Sequence, residues 1–133
     1  MHRAVETAQI AFAGAPVTVH QDRRLRECDY GAFNGCPVSV VAAMRAEHVD
    51  DPFPGGQSYR QVLEATGDFL HDLAADWDGQ RILLIGHSAS KWALDCLLDK
   101  AAIEDLVDAP FGWQEGWHYV LHTDRWRPSW PFW

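Results

Sequence analysis

Gly86-His87-Ser88-Ala89-Ser90 is where this chain has the makings of chemistry. The apolar run Arg81-Ile-Leu-Leu-Ile-Gly86 delivers a histidine and a serine to a sharp turn, and a helical pattern with Trp92, Leu94, Leu97 and Leu98 apolar begins at once behind them. A strand–turn–helix junction puts side chains at the carboxyl end of a strand and free backbone N–H groups at the start of a helix. Open α/β sheets hold ligands there, and anions are favoured. What the junction does depends on which residue acts, His87 or Ser88.

If Ser88 acts, the segment nearly matches G-x-S-x-G, a strained elbow that exposes a nucleophilic serine above a sheet. The last position is Ser90, where close strand–helix packing wants a very small residue. His118 or His122 would supply the base, and no acid stands out between them. Several strands should precede such an elbow, and only one is found. If His87 acts, it needs partners from elsewhere in the chain, a cation for an anionic substrate and a proton donor.

The elements that must position these residues read as helices alternating with strands. Ala, Val and Ile at helical spacing give a helix over His2–Phe12, stopped near Gly14 and Pro16. Pro16–His20 alternates with β-branched residues and reads as a strand. Gln21–Cys36 is a polar loop carrying Glu27 and Asp29. Pro37 suits a first helical turn, and Val38, Val41 and Met44 continue that helix to about His48. Asp50–Gly56 breaks the chain. Gln57–Trp77 is the strongest helix, its stripe running Tyr59, Val62, Leu63, Thr66, Phe69, Leu70, Leu73 and Trp77. The strand Arg81–Gly86, a helix from Ser88 to about Leu98 and a short helix near Ile103–Val107 follow. Trp117–His122 alternates as a strand, and Arg125–Trp133 reads as an edge strand or tail. This alternation predicts an α/β sandwich occupying residues 1–133 as a single domain.

Four blocks recur in order along this frame. Arg3-Ala-Val-Glu-Thr-Ala8 opens a helix, and Leu25-Arg-Glu27-Cys-Asp-Tyr-Gly31-Ala-Phe-Asn-Gly35 follows a strand. Pro54-Gly-Gly-Gln-Ser58 precedes the long helix, and Ile82-Leu-Leu-Ile-Gly-His87 ends a strand. In this order and spacing the chain resembles the histidine phosphatase superfamily, also called phosphoglycerate-mutase-like, from Arg3 to about Tyr119. Pro110-Phe-Gly-Trp-Gln-Glu-Gly-Trp117 resembles its small phosphatase branch. The resemblance implies phosphomonoester hydrolysis on a three-layer α/β/α sandwich. It makes Glu27 the proton donor and His87 the stabiliser of developing charge. It makes Arg3, His87 and Ser88 the phosphate contacts, with no cofactor and no metal.

The resemblance also has a gap. The family's Arg-His-Gly triplet, whose histidine accepts the phosphoryl group, does not occur in this sequence. By resemblance about fifty residues, with two strands, a helix, the nucleophile and an arginine, would stand ahead of Met1. The expectation is therefore a truncated member lacking the first two strands, negligible in turnover by itself and prone to self-association through exposed sheet edges; a non-catalytic remnant or interaction protein is the alternative. His87-Ser88 also replaces the family's common His-Gly, and Gln57 stands where a glutamate is common.

Composition narrows the partners. With 133 residues, 47% of them hydrophobic, the chain is long enough to bury a core. A formal charge of −8 argues against nucleic acid. No apolar run is long enough to cross a membrane, and the first residues lack the apolar region of a secretory signal. Three cysteines without a C-x-x-C pair read as reduced thiols, hence a cytoplasmic protein; the resemblance implies a small phosphorylated substrate. His118 and His122 share a face of the last strand, but the spacing supplies no third metal ligand.

Overall fold

The longest helix starts where its sequence can close its own end. Ser58 Oγ accepts a hydrogen bond from Gln61 N at 3.2 Å, and Gln61 Oε1 accepts one from Ser58 N at 2.9 Å. This reciprocal cap satisfies two backbone donors at the end of a helix. It places the first helical residue at Tyr59, two beyond the start read from the apolar stripe. In this computed structural model, which describes residues 2–124, the α-helices are α1 (His2–Ala11), α2 (Val38–Met44), α3 (Tyr59–Asp76), α4 (Ser88–Asp99) and α5 (Ile103–Asp108). Short 3₁₀ turns occur at Arg23–Leu25, Gly31–Phe33 and Arg45–His48. Each predicted helix is present to within about two residues at either end, except that α2 gives way at Met44 to the 3₁₀ turn Arg45–His48, four residues before its expected end. The segment Arg125–Trp133, expected as an edge strand or tail, lies outside the described residues.

The sandwich itself is a correction. Among the described residues there is no strand and no sheet, so the three-layer α/β/α fold expected from the alternation is replaced by an all-helical arrangement. Pro16–His20, Arg81–Gly86 and Trp117–His122 run as irregular chain. Alternation reports that one face of a segment is covered, whereas a strand also needs a neighbouring backbone to pair with. The covering is visible without the pairing in the last segment. Tyr119 and Leu121 are half-buried, while Trp117, His118, Val120 and His122 are exposed. Leu84 packs inward, yet Ile82 and Leu83 remain 40% and 68% exposed, so the apolar run is not the doubly covered strand its composition suggested.

Two apolar clusters meet along α3 and α4. The larger gathers Phe53, Tyr59, Val62, Leu63, Trp92 and Ile103 with Cys28 from the polar loop. The smaller joins Phe69 and Leu70 of α3 to Leu94 of α4, with Leu84, Tyr119 and Leu121 against it. The one stripe along α3 thus serves both clusters in succession. α4 ends at Lys100, which adopts a left-handed conformation (φ 60°). Asp95 of α4 is 8% exposed, paired with Lys91 one turn earlier, and accepts the Tyr119 hydroxyl at 2.6 Å. That contact ties the last described segment to α4. At the other end of the fold, Arg24 donates to Asp72 on α3 at 2.6 Å and to Asp22 at 2.7 Å, which docks the first 3₁₀ turn.

Candidate functional site

The loop that carries Glu27 is held backbone to backbone against the loop before α3. Gln57 N donates to Asp29 O at 2.7 Å, Asp29 N to Gln57 Oε1 at 3.0 Å, and Ala32 N to Pro54 O at 2.9 Å. The approach leaves no room for side chains at two glycines. A Cβ on Gly31 (φ +54°) would overlap the Pro54 carbonyl oxygen and lie 2.6 Å from Gly56 N. A Cβ on Gly56 would overlap the Asp29 carbonyl oxygen and lie 2.6 Å from Gly31 N. Asp29 folds the loop on itself, its Oδ1 accepting from Gly31 N at 2.9 Å and Asn34 Nδ2 at 2.7 Å. The Asn34 bond, then the Gly31 bond, hold the Asp29 carboxyl below its usual range.

Across this loop stands α4, with His87 as its N-cap residue in extended conformation. Ser90 Oγ donates to Leu25 O at 3.4 Å and so ties the first turn of α4 to the chain entering the Glu27 loop. Gly86 lies under that turn: a Cβ there would sit 3.3 Å from Ser90 Cβ and Oγ. The structure thereby brings together Glu27 and His87, 60 positions apart in sequence. Glu27 Oε2 is 3.7 Å from His87 Nδ1, with the two side chains 26% and 9% exposed. Glu27 Oε1 accepts from Cys28 N at 3.0 Å and from the Tyr30 hydroxyl at 3.4 Å. His87 Nε2 is buried without a hydrogen-bond partner among the described residues.

Burial is the main influence on His87 and lowers its pKa below 6.5. The Glu27 carboxylate opposes this, while the positive charge of Arg3 adds to it. Arg3 therefore reaches the imidazole through its charge, although its side chain lies exposed on α1. Ser88 begins α4 and is half-buried, making no side-chain hydrogen bond among the described residues. No hydrogen bond joins it to His118 or His122, both exposed. Among the described residues no three His, Cys, Asp or Glu side chains are grouped as a metal would need. No helix among them is long and apolar enough to cross a membrane.

Two neighbours of the site were not read from the sequence as part of it. Cys28 is 3% exposed, and burial, then the Glu27 and Asp29 carboxylates, push its thiol up to about 12. Tyr30, three residues beyond Glu27, was read only as part of the loop. Its hydroxyl could have been suspected because a polar tip on a large apolar ring needs a partner when buried.

Comparison with known proteins agrees with the spacing of the blocks. No curated protein and no solved structure matches the chain. The family model of the histidine phosphatase superfamily (branch 1) matches residues 1–131. On that match, which takes in Arg3, the Glu27 loop and the His87 junction together, the chain belongs to the histidine phosphatase superfamily.

Proposed function

We propose that this chain carries the proton-donating and phosphate-binding side of a phosphomonoester hydrolase site. Membership of the superfamily supports a phosphatase-like function in general. In the finer reading Glu27 and His87 are the catalytic residues, and Arg3, His87 and Ser88 contact the phosphate. The observation that carries it is the Glu27–His87 pair: a carboxylate oxygen 3.7 Å from one imidazole nitrogen, with the other nitrogen buried and unpartnered. Leaving a polar atom buried and unpaired costs about 1–3 kcal/mol, which packing alone gives no reason to retain.

The pair has a proton logic suited to ester cleavage. A neutral imidazole has one N–H. When Glu27 carries the proton on Oε2, His87 Nδ1 serves as acceptor and the N–H falls on Nε2, free to donate to a phosphate oxygen. As a phosphoryl acceptor bonds to phosphorus and the P–O ester bond breaks, the leaving oxygen takes the proton from Glu27 and an alcohol departs. The resulting carboxylate is then placed to take a proton from the water that releases phosphate. Arg3 offers a planar fork for two phosphate oxygens, and the unpaired N–H groups at the start of α4 add to the attraction. A phosphohistidine route also needs an acceptor histidine. The sequence has no Arg-His-Gly, and no residue of this chain is assigned that part.

Inorganic phosphate tests this reading without turnover. Titrated into the protein, it should move the His87 imidazole resonances, and Arg3→Ala should weaken the response at least tenfold. p-Nitrophenyl phosphate should be hydrolysed negligibly. Phosphate that leaves His87 untouched would sink the binding assignment. Rapid hydrolysis of p-nitrophenyl acetate, abolished by Ser88→Ala, would move the chemistry to the serine.

A further inference from the structure

The two oxygens of Glu27 are not equivalent. Oε1 accepts from Cys28 N at 3.0 Å and, more weakly, from the Tyr30 hydroxyl at 3.4 Å, and Oε2 is left toward His87 at 3.7 Å. The Cys28 amide belongs to the backbone and would serve any side chain at position 27. The Tyr30 hydroxyl is a choice of side chain, and its surroundings are built around it. The Tyr30 ring packs edge-on against Phe53 at 5.1 Å between centroids, and Phe53 is 1% exposed, so the hydroxyl has little freedom to move. Tyr59, also 1% exposed, packs edge-on against the same Phe53 at 6.1 Å between centroids, and its hydroxyl is buried without a hydrogen-bond partner among the described residues. Burial, first, and then the Glu27 carboxylate push the Tyr30 hydroxyl up, which keeps it protonated and a donor. The Arg45 guanidinium lies 5.1 Å over the Trp92 ring, its Nε buried without a hydrogen-bond partner among the described residues.

We propose that Tyr30 is a positioning residue for Glu27: its hydroxyl fixes Oε1, so that Oε2 is the oxygen presented to His87 and to the substrate. This rests on Glu27 acting as the proton donor. A carboxylate that is 26% exposed and held only by one backbone amide would rotate toward water and lose its facing to the imidazole. Tyr30 pins it at the oxygen that does not react.

The test reads the imidazole, so it needs neither turnover nor phosphate. The charged side chains acting on His87 among the described residues are Glu27 and Arg3. Glu27→Gln removes the one that favours protonation, so the His87 midpoint, followed by NMR, should fall. Tyr30→Phe keeps the ring against Phe53 and should move the midpoint the same way by a smaller amount. The double variant should match Glu27→Gln alone, because Tyr30 acts through that carboxylate. A Tyr30→Phe midpoint equal to or above that of the unaltered protein, or additive shifts in the double variant, would overturn the proposal. Should Tyr30→Phe fail to fold, the hydroxyl proton of the unaltered protein decides. Slow exchange with water and a displaced resonance in Glu27→Gln are expected, and fast exchange would overturn it. Absence of a phosphate response at His87, by contrast, would refute the hydrolase reading and leave these shifts as they are.

Discussion

Adding one methyl group at Gly31 should be among the most damaging small changes available to this protein. Two costs apply there and can be separated at neighbouring glycines. The first is conformational: a left-handed backbone at φ +54° costs an alanine roughly 1–2 kcal/mol. The second is spatial. The new Cβ would run into the backbone of Pro54 and Gly56, which cannot turn away as a side chain would. The loops must part, and the bonds Ala32 N to Pro54 O (2.9 Å), Gln57 N to Asp29 O (2.7 Å) and Asp29 N to Gln57 Oε1 (3.0 Å) weaken together. At about 1 kcal/mol for each hydrogen bond, Gly31→Ala should lose about 3–5 kcal/mol, a large share of a typical domain's stability. Gly35→Ala carries the first cost alone, since Gly35 has φ +83° and open space around it. Offset by the stiffer unfolded chain, its net loss should be about 1 kcal/mol. Gly56→Ala carries the second cost alone and should lose about 2–3 kcal/mol, since the same loops must part. Urea unfolding followed by tryptophan fluorescence measures all three. With an m-value of about 2 kcal/mol/M, the Gly31→Ala midpoint should fall by about 2 M. A Gly31→Ala loss no larger than that of Gly35→Ala would refute the close approach of the two loops, and with it the placement of Glu27.

Arg3→Ala should raise the His87 midpoint, since it removes a positive charge that opposes protonation; an unchanged midpoint would separate Arg3 from the site. The fold should lose stability as pH falls through 6.5 toward the lowered midpoint of His87, because the unfolded chain takes up that proton first. In His87→Gln, thermal melts should show this part of the pH dependence removed. Ser58→Ala should cost about 1–2 kcal/mol by opening the reciprocal cap of α3, and Ser58→Asp should recover part of it in the same melts. Phe53→Ala should cost about 3–5 kcal/mol, because it empties the space between Tyr30, Phe33 and Tyr59.

The helices were legible because their signals are local. α3 announces itself through one stripe; the reciprocal cap of Ser58 and Gln61, three positions apart, is just as local a signal, yet it was passed over and the start was placed at Gln57. Pro37 and the apolar spacing of Val38, Val41 and Met44 mark α2 in the same way. The strands were misread because pairing is not local: the alternation of Tyr119 and Leu121 with exposed neighbours records a covered face but no ladder. Glu27 and His87 were singled out by their motif blocks, and their approach across 60 residues came only with the fold. Tyr30 escaped notice because its partner is the side chain of Glu27, one turn of loop away, and nothing in residue type distinguishes a bonded phenol from a buried ring.

Cys28 gives this site a built-in chemical clock. Its amide grips Glu27 while its thiol, 3% exposed and pushed up to about 12, is shielded from alkylation. Cys36, in the same loop, is exposed. Both thiols lie in the loop that follows Glu27, one inside the fold and one outside. In a single labelling reaction Cys36 times the reagent, and Cys28 times the opening of the loop around Glu27. A ligand that closes the loop would slow the inner thiol and leave the outer one unchanged.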